Sequence, residues 1–270
     1  MRANSLFSNM PPDFWAAVKL ISQTVGYSDR KTKGIKIPSM DEIKKEYEKL
    51  NLDTSNIYNT TFGNQLIEYL TYRATVLNNI VQHNLMNKTS AELEFNILFN
   101  SYTPSCPLPQ NKQKGNKKNY AYLTCIVNML IEKELRGKKC NYDPRALPTF
   151  TKNNKPVLVM SRRCDGAYPS IVNPSVIWEI KEYYYTTTFG SRVADGVYET
   201  LLDGLELEKL STMNIDVEHL LIIDDYNTWW KQGKSYLCRI IDLLNAGYVD
   251  EVIVGKEVLT RIPDIVRNWA

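Results

Sequence analysis

The pattern of hydrophobic and polar positions divides the chain of 270 residues into two parts. In residues 1–104, apolar side chains recur every three or four positions, which is the spacing of an amphipathic helix. This spacing predicts helices over residues 13–25, 40–50, 62–86 and 90–99. Residues 1–104 are therefore expected to form a mostly helical N-terminal region, either as a separate subdomain or as a layer on the rest of the protein.

The second part of the chain alternates between strand-like and helix-like patterns. Strands are predicted for Leu147–Thr151 and residues 155–168, joined by a turn at Asn153-Asn154, and then for residues 175–185, 218–224 and 250–254. Helices are predicted for residues 119–136, 191–210, 229–246 and 256–268. The order α-β-β-β-α-β from residue 119 to residue 224 indicates an α/β fold built around one sheet.

Three ionisable residues lie among apolar neighbours in two consecutive strand-like segments. Asp165 lies in the first segment, Glu179 follows after 13 intervening residues, and Lys181 comes two positions later. Because side chains alternate along a strand, Glu179 and Lys181 share one face, and Trp178 and Ile180 point to the other. If the two segments form a hairpin, two carboxylates and an ammonium group meet. Oxygen ligands of this kind suit a hard cation such as Mg²⁺.

The spacing D-(x)13-E-x-K at a β-hairpin resembles the motif of the PD-(D/E)XK nuclease superfamily, most of all its Type II restriction endonucleases. The resemblance covers roughly residues 118–254. The chain departs from the family pattern at Cys164, where a Pro often precedes the Asp. The resemblance implies a mixed central sheet flanked by helices, and the predicted order α-β-β-β-α-β is the order of the superfamily core.

The resemblance also implies roles for individual residues. Asp165, Glu179 and the backbone carbonyl of Ile180 would ligate Mg²⁺. Lys181 would lie near the attacking water and the scissile phosphate, and it would orient or deprotonate the water or stabilise charge on the phosphate. Hydrolysis would leave a 5′-phosphate and a 3′-hydroxyl.

Many members of the superfamily recruit a further Glu from the helix before the hairpin. Glu132 is the candidate for this catalytic role, and Glu134 and Glu68 are alternatives. After the second strand, Arg192 follows Ser191 at a predicted helix start, where it could reach a phosphate. Glu182 is a candidate alternate metal ligand. Asp195 and Glu199 lie on one helix face and could either be solvated or approach the metal.

A second copy of the motif serves as an internal test. Asp29 is followed by Glu42-Ile43-Lys44 at nearly the same spacing, but Ser39 is a predicted helix N-cap directly before this copy. Helical spacing does not place Glu42 beside Lys44, so the copy at residues 179–181 is the better candidate. The plain alternative for Glu179 and Lys181 is a salt bridge on a solvated sheet face, which contributes little to stability.

Charge is balanced overall but clustered locally. The net charge is +3, and basic residues cluster at 28–36, 111–118 and 136–145. Residues 105–118 are predicted to be a basic loop between the helical region and a catalytic core of residues 119–270. Basic loops supply phosphate contacts in DNA-binding proteins, and such loops are also often no more than solvated surface. DNA-backbone contacts are predicted for Lys112, Lys114, Lys117 and Lys118.

Composition narrows the class of protein further. The five cysteines form no CxxC pair, which favours the cytoplasm and argues against a structural zinc site. No stretch approaches the ~18 apolar residues of a membrane span, and the N-terminus lacks the pattern of a signal peptide. Only two histidines are present, which gives little support to a histidine-based nuclease or a triad hydrolase.

The sequence therefore predicts a Type II restriction endonuclease that cuts double-stranded DNA at a short symmetric site with Mg²⁺. It is expected to act as a homodimer and to share its system with a cognate DNA methyltransferase, without a stable complex between them. One alternative is a structure-specific or repair nuclease of the same superfamily, resembling junction resolvases. Another is a DNA-binding protein with a vestigial site. The recognition sequence is not legible from the residues.

Overall fold

A five-stranded mixed sheet forms the centre of the computed structural model, which describes residues 1–29, 31–58, 60–113, 116–185 and 190–269. The helices are α1 (Pro12–Val25), α2 (Met40–Lys49), α3 (Thr61–Val76), α4 (Gln82–Asn84), α5 (Lys88–Ser101), α6 (Tyr122–Leu135), α7 (Ser191–Ser211), α8 (Lys234–Asn245) and α9 (Val258–Arg267). The strands are β1 (Gln110–Gln113), β2 (Asn116–Tyr120), β3 (Asn141–Tyr142), β4 (Thr149–Lys152), β5 (Lys155–Val159), β6 (Gly166–Tyr168), β7 (Val176–Glu182), β8 (Glu218–Asp224) and β9 (Glu251–Val254). The protein thus has a mixed α/β architecture.

The strand order in the central sheet is β3-β6-β7-β8-β9. The pairs β3–β6 and β6–β7 are antiparallel, whereas β7, β8 and β9 run parallel to one another. A parallel connection requires a crossover, and α7 supplies it between β7 and β8. The helices α6 and α9 cover one face of the sheet, and α7 and α8 cover the other.

Strand β7 is the strand that positions the candidate chemistry. Its residues Trp178 and Ile180 are buried with α6 and α9, whereas Ile177 packs with α7 on the opposite face. The predicted alternation along this strand is confirmed. Glu179 is only 5% exposed, so its carboxylate is buried on the α7 side of the sheet.

The N-terminal helices pack directly on the core. Ala74 near the end of α3 and Leu77 directly after it are buried with residues of α8, and Arg2 pairs with Glu251 of β9. Within this contact, the guanidinium of Arg73 in α3 binds both carboxylate oxygens of Asp242 in α8, at 3.0 and 2.9 Å. Residues 1–104 therefore form a layer on the core that is joined to it through buried contacts.

Several predicted elements are confirmed closely. The strand predicted for residues 218–224 is found as β8, and β4 and β5 form the predicted hairpin. Asn153 and Asn154 at its turn have φ values of 53° and 60°, the left-handed conformation that a two-residue hairpin turn requires. The helix predicted for residues 62–86 is interrupted by a π-helical segment, Leu77–Val81. The one predicted for residues 229–246 begins with another, Tyr226–Gln232.

The strand predicted for residues 155–168 is wrong as a single element. The chain forms β5, leaves the strand conformation at Met160, and re-enters the central sheet as β6. The hairpin of β4 and β5 is a separate two-stranded sheet, and the two-residue strand β3 takes the edge position beside β6. Irregular residues between β5 and β6 carry enough apolar side chains, such as Met160 and Cys164, to imitate a strand pattern.

The loop predicted for residues 105–118 also needs correction. Its described residues include β1 and the start of β2, which pair antiparallel as a hairpin. The pattern of residues gave no sign of these strands because polar and basic residues occupy them almost throughout. The helix predicted to begin at residue 119 begins at Tyr122, because β2 extends to Tyr120.

The five cysteines are free. In the part of the chain that the structure describes, no helix is long and apolar enough to cross a membrane.

Candidate functional site

Asp165 is fixed at the point where the chain enters β6. Its N–H donates to the carbonyl oxygen of Trp178 at 3.0 Å, and its Oδ2 accepts from the N–H of Ile180 at 2.7 Å. The next residue, Gly166, faces the Trp178 ring so closely that a Cβ would lie 1.9 Å from it. A glycine at this position therefore lets β6 approach β7 and brings the Asp165 carboxylate to the middle of β7.

Glu179 and Lys181 lie side by side on the α7 face of β7. The Lys181 Nζ is 2.5 Å from Glu179 Oε1 and 2.5 Å from Glu199 Oε2 of α7. The sequence prediction that Glu179 and Lys181 share a face is confirmed. Because Asp165 is bonded to the backbone between them, the structure brings all three residues of the motif together.

A second cation, Arg162, completes the cluster. It lies in the irregular segment between β5 and β6, and its Nη2 is 2.7 Å from Glu179 Oε1 and 3.2 Å from Glu199 Oε2. Its Nη1 is 2.6 Å from Asp203 Oδ2. Sequence reasoning missed Arg162 and Asp203. A signal for Asp203 was present in the sequence, because Glu199 and Asp203 are four residues apart on one face of a predicted helix. No comparable signal was present for Arg162.

The electrostatics of the cluster follow from burial and from the number of charges. Burial, followed by the negative charge of Glu179, raises the pKa of Asp165 to about 7. Burial also raises the pKa of Asp203 to about 7, although Arg162 opposes the shift. Burial by itself would lower the pKa of Lys181, but Glu179 and Glu199 outweigh it and raise that pKa. When all the groups are ionised, four carboxylates surround two cations, so the cluster has an excess of negative charge.

The donor atoms left over suit a divalent cation. Glu179 Oε2 is buried and has no hydrogen-bond partner, whereas Oε1 accepts from both Arg162 and Lys181. The N–H and C=O of one strand residue point to the same side of the strand, so the Ile180 carbonyl leaves β7 on the Asp165 side. These are oxygen ligands of the type that Mg²⁺ prefers. Asp165, Glu179 and the Ile180 carbonyl are therefore the groups that could hold such a cation.

The described residues contain no group of three or more His, Cys, Asp or Glu side chains already arranged around a metal position. In this arrangement Arg162 and Lys181 are paired with the carboxylates of Glu179, Glu199 and Asp203.

The structure does not bring Glu132 to this cluster. Glu132 lies in α6, which packs on the opposite face of the sheet, and its carboxylate accepts hydrogen bonds from the Ser105 N–H at 3.0 and 3.1 Å. Of the two alternatives, Glu134 pairs with Arg267 at 3.3 Å, and Glu68 is exposed on α3. The helix α6 was predicted, but the prediction that its Glu132 side chain points to the cluster is wrong.

Other candidates also take different positions. Glu182 points to the α6 side, where its carboxylate accepts from the Thr124 N–H at 3.0 Å at the start of that helix. Arg192 is exposed in the first turn of α7, and Asp195 is exposed one turn further along. Of the acidic residues proposed on this helix, Glu199 reaches the cluster.

The predicted DNA-binding lysines lie on the hairpin of β1 and β2. The strand register places Lys112 opposite Lys117, with Lys118 next in β2, and Lys114 falls outside the described residues. The base of the hairpin is tied to β7, because Asn111 Nδ2 donates to Glu182 Oε1 at 3.0 Å. The basic hairpin is therefore anchored at the end of the strand that carries Glu179 and Lys181.

The second copy of the motif forms no comparable site. Ser39 caps α2 and accepts from the Glu42 N–H, while the Glu42 carboxylate accepts from the Ser39 N–H, which is the arrangement of a capping box. Glu42 also pairs with Lys36 at 2.6 Å. The prediction that this copy is helical is confirmed, and its charges stabilise the start of a helix.

Comparisons with known proteins give family matches only. Residues 86–269 match the family model described as Domain of unknown function (DUF7687), and residues 1–80 match the one described as Domain of unknown function (DUF7690). Neither the comparison with curated proteins nor the comparison with solved structures gave a match.

Proposed function

The chain belongs to the DUF7687 family, whose description assigns no activity, and from its site we propose that it is a divalent-metal-dependent nuclease that hydrolyses double-stranded DNA. The observation that carries the proposal is the meeting of Asp165, Glu179 and Lys181 where β6 joins β7. Glu179 and Lys181 are paired with β8, Asp165 is bonded to the backbone of β7, and the Glu179 carboxylate keeps one buried oxygen without a partner. A buried acceptor without a partner is costly, and Asp203 Oδ1 in the same cluster is a second one.

The topology supports assignment to the PD-(D/E)XK superfamily. The elements α6, β3, β6, β7, α7 and β8 follow the α-β-β-β-α-β order of that core, with the hairpin of β4 and β5 inserted between its first two strands. In that arrangement, Asp165, Glu179 and the Ile180 carbonyl would hold Mg²⁺. When bound, the metal lowers the pKa of a water molecule and neutralises charge on the phosphate. Lys181, held by Glu179 and Glu199, would place an ammonium group beside that phosphate.

Within this superfamily we propose the activity of a Type II restriction endonuclease, which acts as a homodimer on a short symmetric site and is accompanied by a cognate methyltransferase. The exposed face of α7 offers a surface for a second copy. Tyr198, Leu202 and Leu205 are 57%, 40% and 40% exposed and lie one or two helical turns apart. Asp195 and Lys209 lie beyond the two ends of this stripe, so antiparallel pairing of two α7 helices brings opposite charges together.

Incubation of the purified chain with unmodified phage DNA tests the function. Discrete fragments with 5′-phosphate ends are expected with Mg²⁺, and none are expected with EDTA. Light scattering is expected to give twice the chain mass. Equal cleavage in EDTA would contradict the metal dependence. Cleavage confined to branched DNA would assign the chain to the structure-specific nucleases instead. Binding without cleavage of any modified or unmodified DNA would indicate a vestigial site.

The basic hairpin gives a second test of DNA binding. Replacing Lys112, Lys114, Lys117 and Lys118 with Ala is expected to weaken binding to specific and random DNA alike. Each lost phosphate contact should reduce the slope of log K against log[salt] by about 0.9. Phosphate contacts position the protein and carry no sequence information, so the cleavage site is expected to stay the same. The measurement is a salt titration of binding to a labelled duplex.

The matched control for the hairpin variant is a chain with Lys19, Lys44, Lys45 and Lys49 replaced by Ala, which removes the same charge from α1 and α2. If both variants lose the same affinity, the hairpin has no special role and only net charge matters. If the hairpin variant cuts at a different sequence, the hairpin reads bases.

A further inference from the structure

The two oxygens of the Glu179 carboxylate have sharply different surroundings. Oε1 accepts from Arg162 Nη2 at 2.7 Å and from Lys181 Nζ at 2.5 Å. Oε2 is buried and has no partner. A carboxylate with both donors on one oxygen cannot rotate about its terminal bond without losing two charge-assisted hydrogen bonds. The two cations therefore fix the orientation of the carboxylate and the direction in which its unpartnered oxygen points.

Arg162 is the cation that is rigidly held. Its Nη1 is 2.6 Å from Asp203 Oδ2, and its Nη2 reaches both Glu179 and Glu199, so one planar guanidinium spans β7 and α7. Asp203 is 2% exposed and occupies the middle of α7, which makes it a firm anchor. A lysine has one compact ammonium group in place of this fork and could not hold Asp203 and Glu179 with the same geometry.

We propose that Arg162 is a positioning residue for Glu179. Anchored on Asp203, its guanidinium holds Glu179 Oε1 and so directs Oε2, together with Asp165, toward a divalent cation. Arg162 acts through Glu179 and does not itself contact the metal or the substrate. This inference rests on the proposed metal-dependent function and adds a residue outside the D-(x)13-E-x-K motif to it.

The alternative role for Arg162 is competition with the metal, and the two roles predict opposite changes in metal affinity. If Arg162 competed with the metal for Glu179, its removal would strengthen metal binding. If Arg162 positions Glu179, its removal leaves Lys181 as the one cation on the carboxylate, which loosens the orientation of Glu179 and weakens metal binding. Groups that orient metal ligands typically contribute about 10–100-fold to metal affinity.

The experiment measures Mn²⁺ binding to the full chain by titration calorimetry, together with the electron paramagnetic resonance signal of bound Mn²⁺. Arg162→Ala is expected to weaken binding about 10–100-fold. Arg162→Lys is expected to recover only part of the loss. The neighbouring Arg163 is exposed, so Arg163→Ala is the matched control and should bind Mn²⁺ like the unaltered chain.

Arg162→Ala leaves the buried carboxylate of Asp203 without its cation, which lowers the stability of the fold. The double variant Arg162→Ala/Asp203→Asn also removes the charge of Asp203, and it still lacks the guanidinium group that holds Glu179. It is expected to unfold at a temperature close to that of the unaltered chain and to bind Mn²⁺ as weakly as Arg162→Ala does. Full metal affinity in the double variant would overturn the positioning role and indicate a purely structural one.

The outcomes separate this inference from the proposed function. If the unaltered chain binds Mn²⁺ and the Arg162→Ala chain binds it equally well or more tightly, the positioning role is overturned and the metal-dependent function stands. If the unaltered chain binds no Mn²⁺ at all, both are overturned. A loss of affinity in Arg162→Ala and in the double variant, without a loss in Arg163→Ala, supports the inference.

Discussion

Replacing Glu179 with Gln is expected to lower metal-dependent cleavage by about 10²–10³-fold, because the loss of one group that stabilises charge in a transition state typically costs that much. The substitution keeps the shape of the side chain and an oxygen that can accept from Arg162. It removes the charge of the proposed metal ligand. Asp165→Asn is expected to have an effect of the same size, since its remaining oxygen can still accept from the Ile180 N–H. Single-turnover cleavage of a labelled duplex in Mg²⁺ is the measurement.

DNA binding should survive in both variants. Each substitution removes a negative charge from a cluster that would face phosphate, so binding in the absence of metal is expected to be equal or tighter. Measuring affinity in EDTA therefore separates a lost metal ligand from an unfolded protein. A variant that cuts at the normal rate would exclude that residue from the metal site.

The control is Glu42→Gln in the second copy of the motif. Glu42 caps α2 and pairs with Lys36, far from the cluster along the chain, so its loss should reduce stability slightly and leave cleavage unchanged. If Glu42→Gln abolished cleavage and Glu179→Gln did not, the choice between the two copies would be wrong.

The part of the site that follows from periodicity was predictable from sequence. A strand imposes a repeat of two residues, so the order Trp178-Glu179-Ile180-Lys181 is sufficient to place Glu179 and Lys181 on one face. The capping box at Ser39 and Glu42 was predictable for a similar reason, because it depends on residues only three positions apart. Both features depend only on residues that are two or three positions apart in the sequence.

The partners of these residues depend on tertiary packing and could not be predicted in the same way. Arg162 lies between β5 and β6 in a segment that leaves the strand conformation, and no repeat fixes where its side chain points. Glu132 lies in the expected helix, but the rotation of α6 directs it to Ser105. The rotation of α7 instead directs Glu199 and Asp203 to the cluster. The rotation of a helix about its axis is set by the apolar stripe that packs on the sheet. The directions of its acidic side chains are a consequence of that rotation.

The contact between the helical layer and the core leads to the second large expected effect. Arg73 and Asp242 are 2% and 5% exposed, and Asp242 Oδ1 also accepts from the Tyr69 hydroxyl at 2.6 Å. The Arg73 guanidinium donates to both Asp242 oxygens and to the Ser22 hydroxyl. Burial would lower the pKa of Arg73, but Asp242 outweighs it and raises that pKa, so Arg73 keeps its charge.

Replacing Arg73 with Ala is expected to lower the free energy of unfolding by about 3–5 kcal/mol, because it leaves a buried carboxylate without its cation. Urea unfolding, followed by tryptophan fluorescence and by circular dichroism, is the measurement. A control variant combines Arg73→Met with Asp242→Asn. The Met occupies much of the arginine's volume, and the neutral Asn can still accept from Tyr69, so the loss should be clearly smaller. If the single substitution cost less than about 1 kcal/mol, water would have to reach Asp242, and the tight packing of α3 on α8 would be contradicted.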